Sequence, residues 1–313
     1  MLNSDKQNIK DIQKLDPQKI SLGICPIGWT NDDMPELGAD ISFEQSVSEM
    51  AHAGFAGTEI GGKFPKDADV LKKTLSPLGL RICNAWFSTY FTTKPEIETI
   101  EAFKERLGFL RELSAGVIGC SEQGRGIQGR AVPIFGNDKP VFSDGEWDKL
   151  CAGMNTLAGI AEEKGIKVCY HHHMGTGVQT PGEIDRFMRS VGADVGLLFD
   201  SGHIYFSEGT QEAVDALIDK YIDRIIHVHL KDVRADRLAI ARKMNMSFLD
   251  GVRFGVFTVP GDGCINFDHI FSTLKAYDYK GWMLVEAEQD PKTANPLEYA
   301  LKARGYLREK TSL

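Results

Sequence analysis

No stretch of this chain approaches the ~18 consecutive apolar residues needed to cross a bilayer. The first residues, MLNSDKQNIKDIQKLD, contain no apolar run of the signal-peptide kind. Both absences lead us to expect a cytoplasmic protein with no membrane partner. An excess of basic charge is missing too. The chain has 44 acidic residues against 36 Lys and Arg, a formal net charge of -8. Nucleic acid calls for a basic stripe along its phosphates, so the balance argues against that partner. The six cysteines, at 25, 83, 120, 151, 169 and 264, include no close pair. Most lie within or beside apolar runs, which predicts buried, reduced thiols rather than a disulfide framework. No G-x-G-x-x-G follows the first strand-like segment, so dinucleotide binding has no support.

Strand-like and helix-like segments alternate almost throughout the 313 residues. Strand candidates are 20–25, 55–60, 80–87, 116–121, 166–171, 195–200, 225–230 and 282–287. They are near-continuous apolar runs, as expected of parallel strands covered on both faces. Helical patterns fill the gaps at 43–53, 67–78, 95–113, 144–164, 180–191, 211–221, 266–277 and 296–310. Some open on cap or proline signals, such as Ser143-Asp144 and Thr180-Pro181. Gly54, Gly79, Gly165 and Gly281 each precede a strand, as a helix C-terminal turn would. Eight such units predict an α/β fold of the (β/α)8 TIM-barrel type, one domain over 1–313, with a doubly wound sheet as the competing architecture. Residues 1–19 read as an N-terminal extension. Two long connections, 122–142 and 232–265, follow strands and so belong at the catalytic face; the second carries an extra helix near 238–248.

Four strands end in metal-ligand side chains: VCYHHH (168–173), VGLLFDSGH (195–203), IIHVHLKD (225–232) and WMLVEAEQD (282–290). A carboxylate such as Asp200, placed straight after an apolar run, is costly to bury without a partner. Metal ligation is the preferred reading for Asp200, His229 and Glu286. His227 and His229 share a strand face, with His229 nearer the mouth. His171 and His173 also share a face. One of them is the fourth ligand, assigned here to His173, and the other, His171, joins Lys231 and His203 as acid-base candidates. Glu59, Trp29, Asn84 and Glu288 are candidate substrate contacts, while Trp86 and Glu122 also end strands. For the earlier strands plain packing is at least an equal reading.

Asp200 in FDSGH, His229 in HVHLKD and Glu286 in VEAE together resemble the xylose-isomerase-like barrel superfamily. That group also holds sugar epimerases and apurinic endonuclease relatives. Within it the chain is similar to the inosose dehydratases of myo-inositol catabolism. The likeness is carried by 22–38, 57–65, 171–181, 227–234, 258–267 and 284–291. It implies a metal-dependent hydro-lyase, using Mn²⁺ or Co²⁺, whose partner is a small cyclitol ketone. The reaction implied is loss of water from 2-keto-myo-inositol (scyllo-inosose) to a trihydroxycyclohexane-1,2-dione. A sugar or cyclitol epimerase is the alternative within the superfamily. The epimerases end their fifth strand in Glu, where this chain has His171 nearby, and that weakens the alternative. The sequence leaves the oligomeric state open, a homo-oligomer included.

Overall fold

A computed structural model describes residues 14–313. Eleven strands form in chain order among these residues: β1 (Ile20–Ile24), β2 (Gly57–Glu59), β3 (Arg81–Asn84), β4 (Trp86–Thr89), β5 (Val117–Glu122), β6 (Lys167–His171), β7 (Val195–Asp200), β8 (Ile225–Leu230), β9 (Asp232–Val233), β10 (Phe257–Thr258) and β11 (Gly281–Val285). Nine pair in parallel in the order β3-β2-β1-β11-β8-β7-β6-β5-β4. The expected third strand, 80–87, is broken at Ala85. Its first half pairs with β2 and its second half with β5. The two halves hand the pairing from one neighbour to the other, so the sheet closes on itself. The result is a TIM barrel, as the alternating pattern predicted.

The strands are short and buried because both faces are covered. On β6, Tyr170 turns outward onto Phe187 of a surrounding helix, ring centroids 4.1 Å apart. Its neighbour Cys169 belongs to a small separate cluster with Val117 and Leu198. This alternation is the period-2 signature of a barrel strand.

The helices are α1 (Phe43–His52), α2 (Ala68–Leu75), α3 (Glu96–Glu112), α4 (Asp144–Glu162), α5 (Pro181–Ser190), α6 (Ser201–Glu208), α7 (Gln211–Tyr221), α8 (Ala235–Lys243), α9 (Phe248–Arg253), α10 (Asp268–Ala276) and α11 (Pro296–Thr311). Capping boxes close the starts of α4 and α5, through Ser143 with Glu146 and Thr180 with Glu183. Gly54, Gly79 and Gly165 take left-handed φ values of 86°, 70° and 71° where helices give way to strands. Gly281 instead opens β11.

Three expectations change. The extra helix near 238–248 is two helices, α8 and α9, separated where Asn245 turns to φ 51° and Ser247 caps the second. Helix α6 starts directly at the end of β7, between two expected helical spans and in neither. Of the expected N-terminal extension, residues 1–13 lie outside the described residues, while Leu15 is buried and its N–H donates to the Thr311 carbonyl, 3.0 Å away. All six cysteines are free; five are buried and Cys264 is exposed. Among the described residues no helix is long and apolar enough to cross a membrane.

Glu122 shows how a strand end can serve the fold alone. Its carboxylate is fully buried. It accepts from the Thr89 and Thr92 hydroxyls and from the N–H groups of Phe91, Thr92 and Gly124. It fastens the loop after β4 to the end of β5. Replacing Glu122 by Leu strands these buried donors, each worth about 1–3 kcal/mol when unsatisfied. The variant should lose at least about 3 kcal/mol of stability in urea unfolding, and an unchanged midpoint would refute this role.

Candidate metal and active site

The barrel mouth gathers ligand-type side chains from four neighbouring strands. His171 closes β6, Asp200 closes β7, His229 lies near the end of β8 and Glu286 follows β11. Register fixes their level: Asp200 pairs directly with His229, and Leu284 sits opposite His229 on the other side. His171 Nε2 lies 3.4 Å from Asp200 Oδ2, and His229 Nδ1 lies 3.5 Å from the same oxygen. Glu286 Oε2 is 2.6 Å from His229 Nδ1. His171 Nε2 and Asp200 Oδ2 are buried and make no hydrogen bond. Unpartnered acceptors aimed at one point in a buried site are what a cation requires. The donor set, two imidazoles and two carboxylates, suits a divalent transition ion. The residues present therefore fit a metal.

Each oxygen of Asp200 has a separate task. Oδ1 accepts the His203 N–H at 2.8 Å and caps α6, while Oδ2 faces the ligand group. The D-S-G-H segment (200–203) continues this economy. Ser201 Oγ donates to the Lys231 carbonyl at 2.8 Å and accepts the Lys231 N–H at 3.0 Å. Gly202 leaves room for the Lys231 stem; a Cβ there would lie 2.4 Å from Lys231 Cγ.

Lys231 is completely buried. Its Nζ lies 2.6 Å from Glu286 Oε1, 2.9 Å from Glu288 Oε1, 3.7 Å from Asp200 Oδ2 and 3.0 Å from His203 Nε2. Burial opposes its charge, but Asp200, Glu286 and Glu288 outweigh burial and hold the pKa well above the ordinary lysine value. The ammonium acts back on the acids. Burial raises Glu286, yet Lys231 and His229 bring it down to about 2. Asp200 is likewise held well below its usual range against burial, by Lys231 and His203. For Glu288 burial wins and carries the carboxyl to about 7. Burial pushes the imidazole of His173 down to about 3; burial and then Lys231 hold His203 well below the usual value.

Above this cluster opens a cavity of about 370 Å³. Glu59, Asn84, His171, His173, His229, Glu286 and Glu288 line it, with Trp86 against the edges of His171 and His173. Among the sequence candidates, Lys231, His203 and Asp200 stand behind the wall. Trp29 is not brought to the cavity: it is buried elsewhere in the core, and its indole N–H donates to Glu49 at 2.6 Å. The histidine pair divides differently from the sequence assignment. His171, rather than His173, shares with Asp200 and His229 a set of ligand atoms all within 4.8 Å. His173 groups instead with His203 and Glu288, and its Nδ1 is 3.0 Å from the Met174 carbonyl. The chain turns away from β6 after His171, so equal parity no longer gives the two rings equal places. Asp32, Asp33, Ser88, Tyr90, Gln123 and Gln128 also line the cavity and were not singled out from sequence. The signal for them was their place at or just after the ends of barrel strands.

Comparison with known proteins gives a consistent picture. A family model described as xylose isomerase-like TIM barrel matches residues 47–310. An inosose dehydratase of Glaesserella parasuis serovar 5 is 59% identical over 292 residues, 93% of this chain and 98% of that protein. Another, of Clostridium beijerinckii, is 56% identical over 95% of this chain and 99% of that protein. The crystal structure of the IolI protein with a bound zinc atom has the same fold, with TM-score 0.67 and 17% identity over 93% of this chain and 98% of that one.

The ligand geometry is open to direct measurement. Partners that merely orient a metal ligand are worth about 10–100-fold in affinity, so losing a ligand costs more. His171→Ala, Asp200→Ala, His229→Ala and Glu286→Ala should each weaken uptake of a divalent ion by more than about 100-fold, measured by calorimetric titration, while far-ultraviolet circular dichroism stays native. Full ion occupancy in all four variants would exclude this ligand set.

Proposed function

We infer that this chain, which belongs to the xylose isomerase-like TIM-barrel family and within it to the inosose dehydratases, is a hydro-lyase that removes water from a keto-inositol. The observation that carries the reading is 59% identity across 98% of the length of a relative of that name. The site is chemically suited to it. A divalent ion held by His171, Asp200, His229 and Glu286 would supply a Lewis acid for the ketone oxygen of the substrate. Mn²⁺ or Co²⁺ is the expected ion, because an imidazole-rich set favours them over Mg²⁺; the solved relative binds zinc. The substrate we propose is 2-keto-myo-inositol, which loses a hydroxyl to give a trihydroxycyclohexane-1,2-dione. The cavity, walled by Trp86 and by polar side chains, has room for one six-membered polyol.

Dehydration next to a ketone needs one group to take the α-proton and another to protonate the departing hydroxyl. His173 lines the cavity with Nδ1 turned to a carbonyl, so its Nε2 keeps a lone pair and acts as the base. Glu288 also lines the cavity and is joined to Lys231 Nζ, which in turn touches His203. That pair delivers the second proton, with His203 completing the path behind it. Ligand atoms of His173, His203 and Glu288 lie within 4.8 Å of one another, so the two transfers reach adjacent carbons. In the ion-free site Lys231 also keeps Glu286 and Asp200 ionised, a task that a bound ion would take over.

Two results test this. After chelation and verified metal removal the protein should be inactive. Mn²⁺ or Co²⁺ should restore activity better than Mg²⁺, and the product should weigh one water less than the substrate by mass spectrometry. Interconversion of stereoisomers of unchanged mass would make the protein an epimerase instead. Separately, Lys231→Met should bind the ion yet lose about 100-fold or more in kcat, the range for a proton-transfer group. A kcat within a few-fold of the parent would remove Lys231 from the mechanism.

A further inference from the structure

Glu59 closes β2, is nine-tenths buried, and meets the His229 nitrogen opposite the one that faces Asp200. Its Oε1 lies 2.7 Å from His229 Nε2 and accepts the Asn84 side-chain N–H at 2.6 Å. His227 Nε2 stands at 3.4 Å from the same oxygen. Cys25 Sγ lies 3.8 Å from Oε2, and ligand atoms of Cys25, Glu59 and Glu286 all lie within 4.8 Å of one another. Asn84 is fixed in turn. Its Oδ1 accepts the Gly119 N–H at 2.8 Å, an N–H shared with the Ala85 carbonyl at 3.1 Å. That contact settles which end of the amide is which, so Nδ2 must face Glu59. Gly119 lets the amide approach: a Cβ there would sit 3.2 Å from Asn84 Nδ2.

The consequence lies in the imidazole. A carboxylate oxygen 2.7 Å from Nε2 requires the proton to be on Nε2. Glu286 Oε2, 2.6 Å from Nδ1, holds a proton on that side as well; an ion meeting Nδ1 would displace that proton, while Glu59 keeps the one on Nε2 and leaves the lone pair toward Asp200 and Glu286. Resting on the ion reading above, we propose that Glu59 and Asn84 are positioning residues for His229: they fix its tautomer and ring angle so that Nδ1 meets the ion. The series runs from a backbone N–H on β5, through Asn84 on β3 and Glu59 on β2, to His229 on β8. It reaches the ligand from outside the four strands that supply the ion's own partners. The break at Ala85 contributes, because it brings Asn84 and the Gly119 N–H together where the sheet changes partners.

The test is ion affinity, read by titration of the metal-free full-length protein with Mn²⁺ and followed by electron paramagnetic resonance. Glu59→Leu should weaken Mn²⁺ binding by about 10–100-fold, the usual worth of such a partner. Glu59→Gln keeps a carbonyl oxygen for both His229 and Asn84 and drops only the charge, so it should lose less than Glu59→Leu. Asn84→Leu should fall between the parent and Glu59→Leu. Nitrogen-15 spectra of the diamagnetic, zinc-loaded parent should show His229 protonated on Nε2. Should Glu59→Leu not fold, the Gln and Asn84 variants and the spectrum still decide. Parent protein that takes up no divalent ion overturns the ion reading and this one with it. A parent that binds Mn²⁺ while the Glu59 and Asn84 variants match its affinity overturns the positioning role alone.

Discussion

Lys231 is the charge around which the barrel mouth is organised. Asp200, Glu286 and Glu288 converge within a few ångströms in a space that excludes most water. Alone, three such carboxylates would repel one another and shed their charge. A completely buried ammonium lets two of them stay ionised at the level where an ion is wanted. Its position is determined at both ends of the residue. The backbone is locked to the Ser201 hydroxyl, and the stem runs through the gap left by Gly202 to Nζ, 5.0 Å from the Phe257 ring centre. The D-S-G-H segment therefore does four things in four residues. It offers a proposed ligand that is also a helix cap, a hydroxyl clamp, an opening, and an imidazole touching the ammonium.

Much of this was legible in the chain because barrel strands are buried on both faces. Continuous apolar runs reveal their own ends, so Asp200, His229 and Glu286 stood out as charged groups where none should be tolerated without a reason. Helix spans were equally visible from caps and glycines. What stayed hidden was set by geometry beyond the period of a single element. His171 and His173 have the same parity, and only the turn that follows β6 separates one from the other. Trp29 was a candidate substrate contact, but its ring is buried away from the cavity and its N–H finds the half-buried Glu49 of α1. Helix α6 fell outside the expected spans because its first residues, Ser201 and Gly202, are poor helix formers; the cap supplied by Asp200 tips the balance. Asn84 and Glu59 gave only a weak signal as single polar residues at strand ends, since their partners are tens of residues away.

The division of labour among the strands has a consequence for how such a protein changes. His171, Asp200, His229 and Glu286 come from β6, β7, β8 and β11, four consecutive staves of the barrel. Much of the rest of the cavity wall comes from the opposite arc: Asp32 and Asp33 after β1, Trp86 and Ser88 on β4, Gln123 and Gln128 after β5. One half of the circle thus carries the proposed ligands, while the other lines much of the cavity and, through Glu59 and Asn84, backs His229. Loops on the second arc can drift in length and composition so long as Glu59, Asn84 and Trp86 keep their places against His229 and His171. A lineage built this way inherits a fixed reactive centre and an interchangeable keyhole, and new substrates require rewriting only the keyhole.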